Sequence, residues 1–362
     1  MTDAVNSAVT FDPGAQPEPQ GITADIKVSP NDQRTFEQEQ FAYIRRNKTM
    51  STLSTVKTEK EDITYNQTTA IIKKEGLLLS IRDYLAKHLV WSDITHKVLF
   101  CLMEEFTRLG AHQLKVEVDF DYYMKLRGLK DVKASTEQLD AEIYTLVLTT
   151  ITIPLSAVTH KKDDEGTAYH LNILEDGWVK NGIIYATFTQ AFMKFIQKAS
   201  RSLVPFPKAL LRINSHKHPN SRILGEKIYE MLRMNMGKPN SGIISTRALL
   251  AVCADIPSED EVANTDRAYR RRIIEPFFRD LDALVDEGIL EWELYHARGI
   301  TLSDAELADL TYPVFIKTYI HITKFIYPNK EEAEAAAQKR NAPKKTRKPR
   351  KKKGAAEQAS LL

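Results

Sequence analysis

A cluster of arginines lies just before a strongly apolar stretch in the last third of the chain. The segment Asp266-Arg-Ala-Tyr-Arg-Arg-Arg272 places Arg267, Arg270 and Arg271 three and four residues apart. Side chains with this spacing share one face of an α-helix. Cations are disfavoured at a helix N-terminus, so a cluster of arginines there indicates an anionic partner. A guanidinium group can grip a phosphate or the edge of a guanine with two hydrogen bonds.

The same helix start offers two further candidates and one simpler explanation. Arg272 lies about a third of a turn from the shared face, and Tyr269 offers a hydroxyl to phosphate or a ring for stacking. The simpler explanation is a solvated surface on which the arginines pair with Asp266, Glu275 and Asp280. The residues that we predict to contact DNA are Arg267, Tyr269, Arg270, Arg271 and Arg272.

Two other groups of basic residues are candidates for contacts with backbone phosphates. The first group surrounds the predicted start of a second domain and comprises Lys208, Arg212, Lys217, Arg222 and Lys227. The second group belongs to the first domain and comprises Lys125, Arg127, Lys130 and Lys133. Ordinary surface cations remain the alternative for the second group.

The helix predicted to follow this second group is acidic. It begins at Ser135, ends near Leu148, and carries Glu137, Asp140 and Glu142 without any Lys or Arg. A phosphate backbone would repel these carboxylates. The sequence therefore leaves two roles open for the first domain, which are contact with DNA and dimerisation or regulation.

The elements that position these residues occur twice in the same order. In the first stretch, Asp93 caps a helix, Leu114–Val118 alternates as a strand, and Asp119 or Asp121 caps a brief helix before the acidic one. Two strands follow, Tyr169–Leu174 and Ile183–Phe188, joined by a turn-rich linker. Helix, strand, helix, helix and hairpin is the order of a winged helix, which is a helix-turn-helix with a β-wing.

The second stretch repeats this order. Ser221 caps its first helix, Ile243-Ile244 is a short strand, and Thr246 caps the middle helix. Thr265 caps a long helix in which Ile273, Ile274, Phe277 and Leu281 point inward, and Pro276 marks a point where that helix can kink. Strands are predicted at Leu290–Leu294 and Val314–Ile326, with residues 297–311 as the wing tip.

The predicted fold is therefore α+β, with two tandem winged-helix domains flanked by disordered tails. Prolines in Leu203–Pro207 predict a connector between the domains. The predicted parts are a disordered segment (residues 1–60), a first winged-helix domain for dimerisation or regulation (61–206), a second for DNA recognition (207–328) and a basic disordered tail (329–362).

Charge and composition exclude several classes of protein. The tail from Lys339 carries ten Lys or Arg and one acid, so its charge is +9 and the remaining chain carries −6 of the total of +3. DNA binding must therefore depend on local basic patches, with Lys344–Lys353 as a non-specific DNA contact or a solubilising end. No stretch approaches the roughly 20 consecutive apolar residues of a membrane-spanning helix, and the sequence shows no secretory signal peptide. Both observations favour a cytoplasmic protein. Cys101 and Cys253 are expected to be small core residues.

No enzymatic motif is recognisable, and we expect neither a cofactor nor a metal. A phosphate-binding loop of the form G-x-x-x-x-G-K-[ST] is absent from the sequence. His216-Lys-His218 superficially resembles the paired histidines of rolling-circle nickases, but Lys217 stands where an apolar residue is needed and Pro219 follows. This segment is therefore predicted to be a loop without a metal.

Three segments carry a family resemblance, namely Leu203–Asn214, His218-Pro219 followed by Leu224-Gly225, and Arg271–Leu284. They resemble segments of plasmid replication initiators with tandem winged-helix domains. The resemblance implies a protein that binds repeated double-stranded sites at an origin, opens it and recruits the host initiator and helicase. It also implies a homodimer in equilibrium with the monomer. The alternative is a winged-helix transcriptional regulator, including one borne by a phage.

Overall fold

The computed structural model describes residues 40–110, 113–154, 168–199, 202–262, 265–296, 300–331 and 334. The helices are α1 (Lys48–Leu53), α2 (Tyr84–Lys87), α3 (Asp93–Arg108), α4 (Phe120–Arg127), α5 (Val132–Val147), α6 (Gln190–Ala199), α7 (Ser221–Asn235), α8 (Thr246–Leu250), α9 (Asp266–Tyr269), α10 (Glu275–Asp286), α11 (Asp304–Ala308) and α12 (Tyr312–Phe315). The strands are β1 (Phe41–Arg46), β2 (Ile63–Asn66), β3 (Thr69–Lys74), β4 (Leu77–Ile81), β5 (Lys115–Asp119), β6 (Thr149–Pro154), β7 (Ala168–Asn172), β8 (Leu174–Lys180), β9 (Ile183–Phe188), β10 (Ser202–Pro207), β11 (Ile243–Ser245), β12 (Leu290–Tyr295) and β13 (Tyr319–Phe325). The mixed α/β composition agrees with the predicted class.

The first unit contains the predicted succession α3, β5, α4, α5 and a hairpin. Helix α3 begins after Ser92, whose hydroxyl accepts from the amides of Ile94 and Thr95, so Ser92 and not Asp93 is the cap. Strands β8 and β9 form an antiparallel hairpin, and β9 also pairs with β5 in the order β5-β9-β8.

The predicted partner of Ile183–Phe188 was wrong. Its hairpin partner is β8, which occupies most of the stretch predicted to be a linker, whereas β7 belongs to another sheet. The turn is tight because Asn181 and Gly182 both have positive φ, which suits a two-residue hairpin connection. The acidic helix α5 also starts earlier than Ser135, after the side chain of Asp131 caps it.

A five-stranded antiparallel sheet accompanies the first unit. Its order is β2-β3-β4-β6-β7, so strands that lie before and after α3–α5 in sequence meet in it. Buried residues on one face, which include Leu79, Ile81 and Ile151, alternate with exposed or half-buried residues on the other. This sheet was not predicted: the local β2–β3 and β3–β4 hairpins were missed, and the β4–β6 pairing joins segments on either side of α3–α5.

The second unit repeats the order of elements and the order of strands. Helix α7 is followed by β11, α8, the helical stretch α9–α10, β12 and β13, and the sheet order is β11-β13-β12. Two short helices, α11 and α12, lie between β12 and β13. The sequence predicts a strand over Val314–Ile326, and its first part, residues 314–318, was wrong. Tyr312–Phe315 is helical, and β13 begins only at Tyr319.

Residues 41–60 belong to the fold, so the prediction of disorder through residue 60 was wrong there. Strand β1 pairs antiparallel with β10, which occupies the predicted connector. A two-stranded sheet tolerates the missing amides of Pro205 and Pro207 because each strand has a free edge. Arg46 at the end of β1 reaches the second unit, where it pairs with Glu226 at 2.6 Å and Glu230 at 2.6 Å.

The two units share one apolar core and a buried ionic network. One contiguous cluster of buried apolar residues contains side chains of both units, and its members range in sequence from Phe41 to Ile322. In the network, Arg222 of α7 pairs with Asp93 of α3 at 2.5 Å and with Glu226. Both predicted tails lie largely outside the described residues, namely residues 1–39 and those beyond 334. No described helix has the length and apolarity that a bilayer crossing requires.

Candidate nucleic-acid interface

The long helix of the second unit has the predicted apolar side and cap. Thr265 Oγ1 accepts from the amide of Ala268 at 3.2 Å, which satisfies one of the free donors at the helix start. Ile273, Phe277 and Leu281 are buried, as predicted. The apolar side therefore fixes this helix to the core and leaves the opposite side of its first turns available to a ligand.

A π-helical turn, Arg270–Ile274, joins α9 to α10 at the place where the sequence predicts a kink. The amide of Glu275 donates to the carbonyl oxygen of Arg270, five residues back. Pro276 follows at the start of α10 and has no amide hydrogen to give. An α-helix would require that hydrogen for the carbonyl of Arg272, so the wider turn is a physical response to the proline. Such turns occur often at functional sites.

Arg267 and Arg271 are exposed, and among the described residues their guanidinium groups have no hydrogen-bond or carboxylate partner. They are four residues apart, so they project from the same side of the helix start. An unpaired and exposed pair of guanidinium groups is available to phosphate or to a base edge. These two residues are the centre of the candidate interface.

Arg270 and Arg272 are exposed in part but are bonded to backbone. Arg270 donates to the carbonyl oxygens of Ala308 at 2.5 Å and Leu307 at 3.4 Å, and its Nε lies 3.6 Å from Glu275. Arg272 donates to the carbonyl oxygen of Glu261 at 3.0 Å. The predicted group of four arginines therefore divides into two outward-facing residues and two that are bonded to neighbouring segments.

Tyr269 was wrongly predicted to contact DNA. Its side chain is buried and stacks on Tyr312 with ring centroids 4.7 Å apart. The ring packs helix α9 against α12 and cannot stack on a base. Sequence spacing missed this because Tyr312 lies more than 40 residues away along the chain.

Arg247 is a further exposed cation near the candidate interface and was not predicted. It is exposed on α8, one residue after Thr246. Burial raises the pKa of Tyr312, nearby Glu259 and Tyr269 add to the rise, and the positive charge of Arg247 opposes it. Arg247 therefore lies near the Tyr269–Tyr312 stack at the start of the long helix. The sequence feature that could have identified Arg247 is its position in the first turn of the middle helix of a predicted helix-turn-helix.

The segment that connects α8 to α9 brings acidic charge close to these arginines. Glu259, Asp260 and Glu261 form a short turn, and the Glu261 carboxylate accepts from the Ser258 hydroxyl and amide, each at 2.7 Å. These hydrogen bonds lower the pKa of Glu261. This acidic turn therefore lies beside Arg272, which donates to the carbonyl oxygen of Glu261, and an anion would be repelled by its carboxylates.

The residues predicted around the entry to the second unit have different environments. Lys208 is buried between Glu104 at 2.5 Å and the Tyr122 hydroxyl at 2.8 Å, and Arg222 is buried in the ionic network, so both predictions were wrong. Arg212 is exposed and lies 3.4 Å from Glu287. Lys217 is exposed and Lys227 is half-buried. Only these last three residues remain candidates for phosphate contacts.

The first unit retains three of its four predicted cations. Lys125, Lys130 and Lys133 are exposed near the start of α5. Arg127 is buried and donates to the Tyr123 hydroxyl at 2.8 Å, so its predicted contact with DNA was wrong. Tyr123 and Arg127 both lie on α4, one helical turn apart.

Helix α5 presents acidic residues at its surface, as the sequence suggested, but one of the three is buried. Glu137 and Asp140 are exposed. Glu142 instead faces α3, where the Thr95 hydroxyl donates to it at 2.5 Å. Burial raises the pKa of Glu142 to about 7, although the Thr95 hydrogen bond and Arg127 oppose the rise. The outer side of α5 around Glu137 and Asp140 is therefore unfavourable for a phosphate backbone, whereas Lys133 in its first turn is exposed.

The described residues contain no group of three or more His, Cys, Asp or Glu that could hold a metal ion. The segment His216–His218 is a turn in which Asn214 Oδ1 accepts from the amides of His216 at 2.9 Å and Lys217 at 3.2 Å. Cys101 and Cys253 are buried and unpaired with each other, which confirms their prediction as core residues. Burial raises the pKa of the Cys101 thiol to about 12.

Comparison with known proteins found no matching family model and no matching curated protein. Two crystal structures of domains 2 and 3 of RctB align with the chain, both at 12% sequence identity. One, of a selenomethionine derivative, covers 83% of this chain and 100% of its own length with a TM-score of 0.40. The other covers 52% of this chain and 68% of its own length with a TM-score of 0.30. The chain resembles these RctB domains only coarsely. The likeness is too distant to transfer a functional residue.

Proposed function

We propose that the chain is a sequence-specific DNA-binding protein that acts by binding and not by catalysis. The observation that carries this proposal is the exposed pair Arg267 and Arg271 at the start of an anchored helix, without a protein partner among the described residues. Arginine at such a place suits guanine or phosphate because its planar fork donates two parallel hydrogen bonds. Arg247 adds a third cation from the neighbouring helix.

We further infer that both units are winged-helix domains. The support is that each unit contains one helix, a strand, two helices and a final pair of strands in this order, with β6 and β7 inserted before the final pair in the first unit. In each three-stranded sheet the first strand lies beside the last. In this class the third helix enters the major groove. In the second unit that helix is α9–α10, which carries Arg267 and Arg271, and the connection containing α11 and α12 occupies the place of the wing.

The biological role that we propose is initiation of replication at the origin of a plasmid or plasmid-like element, in the cytoplasm. The sequence segments Leu203–Asn214 and Arg271–Leu284, which resemble plasmid initiators, support it. Such a protein would bind repeated sites, open the origin and recruit a host initiator and helicase. The exposed Glu137 and Asp140 on α5 would repel a phosphate backbone, so we propose a dimerisation or regulatory role for the first unit.

A footprint on the DNA that flanks the gene tests this function. We expect protection of several copies of one short sequence, with protection lost for Arg267→Ala combined with Arg271→Ala. A circular DNA that carries these copies should replicate in the host only when the protein is present. The competing role, a winged-helix transcriptional regulator, predicts a protected site at a promoter and replication that does not require the protein. Absence of any protected sequence would contradict both roles.

A further inference from the structure

The four arginines of the π-turn region differ in what their side chains contact. Arg270 bonds the carbonyl oxygens of Ala308 and Leu307 at the end of α11. Arg272 bonds the carbonyl oxygen of Glu261 on the other side, in the segment that precedes α9. By helical spacing Arg270 falls on the same side of the helix start as Arg267 and Arg271. Its guanidinium group is nevertheless bonded to carbonyl oxygens of the protein, whereas Arg267 and Arg271 have no such partner among the described residues.

Side chains bond the π-turn to its surroundings. A π-helix is rare, and here Pro276 contributes no amide hydrogen to the backbone bonds of the turn. The bonds from Arg270 and Arg272 connect the turn to both flanking segments, α11 and the acidic turn at Glu259–Glu261. A guanidinium group is well suited to this task because it is always charged and offers several donors in a fixed plane.

We propose that Arg270 and Arg272 are positioning residues, which hold the π-turn so that Arg267 and Arg271 face DNA as a rigid pair. This inference rests on the proposed function of the interface, and it assigns DNA contact to only two of the four arginines. Contacts to backbone phosphates fix the register of a protein on the duplex, and they do so only when the contacting groups are held in a fixed geometry. Loosening the turn therefore lowers discrimination between sequences more than it lowers attraction to phosphates.

Amide hydrogen exchange of the full chain without DNA tests the holding role. We expect Arg270→Met and Arg272→Met each to speed exchange of the amides in residues 270–275 at least tenfold. The matched variants Arg267→Met and Arg271→Met remove the same group from the same helix and should leave that exchange unchanged. Equal exchange in all four variants would overturn the proposal whether or not the protein binds DNA.

A second experiment tests whether Arg270 positions Arg267 and Arg271 for DNA. It measures binding to a duplex that the unmodified protein has enriched from a random-sequence pool. Arg270→Met should reduce the ratio of affinities for the enriched duplex and a scrambled one about tenfold, with an unchanged slope of log affinity against log salt. Arg271→Met should lower that slope by about 0.9, the value for one phosphate contact. Arg270→Lys, which can still donate to a carbonyl, should restore part of the ratio.

The outcomes separate the two proposals. A slope that falls with Arg270→Met as it does with Arg271→Met would make Arg270 a direct contact and overturn the positioning role. If the unmodified protein enriches no duplex, the proposed function fails, and the exchange experiment still decides whether Arg270 and Arg272 hold the turn.

Discussion

Replacement of Arg222 by methionine should destabilise the whole chain, because this residue joins the two units through buried ionic bonds. Its side chain donates to Asp93 at 2.5 Å, to the carbonyl oxygen of Ser54 at 3.0 Å, and to Glu226. Arg222 is only 2% exposed. Burial alone would raise the pKa of Asp93, but Arg222 and the nearby Lys97 hold it well below its usual range.

The size of the loss follows from what remains after the substitution. Breaking one partner out of a buried ion pair costs about 3–5 kcal/mol, because the other charge stays buried. Here Asp93 keeps Lys97 at 3.3 Å and Glu226 keeps Arg46 at 2.6 Å. We therefore expect the lower end, about 3 kcal/mol, out of a total stability of roughly 5–15 kcal/mol.

Urea unfolding, followed by tryptophan fluorescence, measures this loss. The midpoint should fall while the slope with urea stays constant, since the surface exposed on unfolding is unchanged. Arg212→Met is the control, because Arg212 is 53% exposed by its side chain and lies 3.4 Å from Glu287. That exposed pair should be worth less than about 1 kcal/mol. A loss for Arg222→Met as small as that of the control would refute the reasoning about the network.

Three further predictions concern other parts of the chain. The pKa of Glu142 is about 7 in the folded protein, against an ordinary 4.5. Because the folded protein holds this proton more tightly than the unfolded chain does, the free energy of unfolding falls as pH rises from 4.5 through 7. Glu142→Gln should therefore be neutral near pH 4.5 and stabilising by on the order of 3 kcal/mol above pH 7, and equal effects at both pH values in urea titrations would contradict this. A Cβ atom at Gly177 would lie 2.6 Å from Ile143 Cγ2, so Gly177→Ala should lower stability by about 1–3 kcal/mol in the same assay, and an unchanged midpoint would show that the contact relaxes freely. Deletion of residues 344–353 should flatten the salt dependence of non-specific DNA binding and preserve site preference, and loss of preference in competition gel shifts would assign the tail a reading role.

Local patterns in the sequence were sufficient for the main elements. The apolar stripe of Asp93–Arg108, the alternation in Lys115–Asp119 and the apolar side of the long helix all depend on neighbours a few residues away, and each was found in the structure. The β2–β3 and β3–β4 hairpins are local and their turns were overlooked, whereas the place of β1 and the β4–β6 pairing were missed because they join distant segments. Phe41, for example, lies opposite Pro207.

The candidate site was predictable only in outline, because a basic residue does not show its partner in the sequence. Arg222 lies 129 residues from Asp93, and Lys208 lies more than 100 residues from Glu104. Arg222 and Lys208 were predicted to contact phosphates, and each is instead buried in an ion pair. Arg267 and Arg271 are exposed, and the fold brings no carboxylate or carbonyl group of the described residues to their side chains.

The salt dependence of DNA binding tests the central claim most directly. The slope of log affinity against log salt should fall by roughly 1.8 when Arg267 and Arg271 are both replaced by alanine, which corresponds to two lost phosphate contacts. Lys73 and Lys194 are exposed cations of the first unit outside the candidate interface, and replacing both by alanine removes the same charge. We predict that this second pair leaves the slope unchanged. Equal slopes for the two double variants would contradict the assignment of the interface to the start of the long helix.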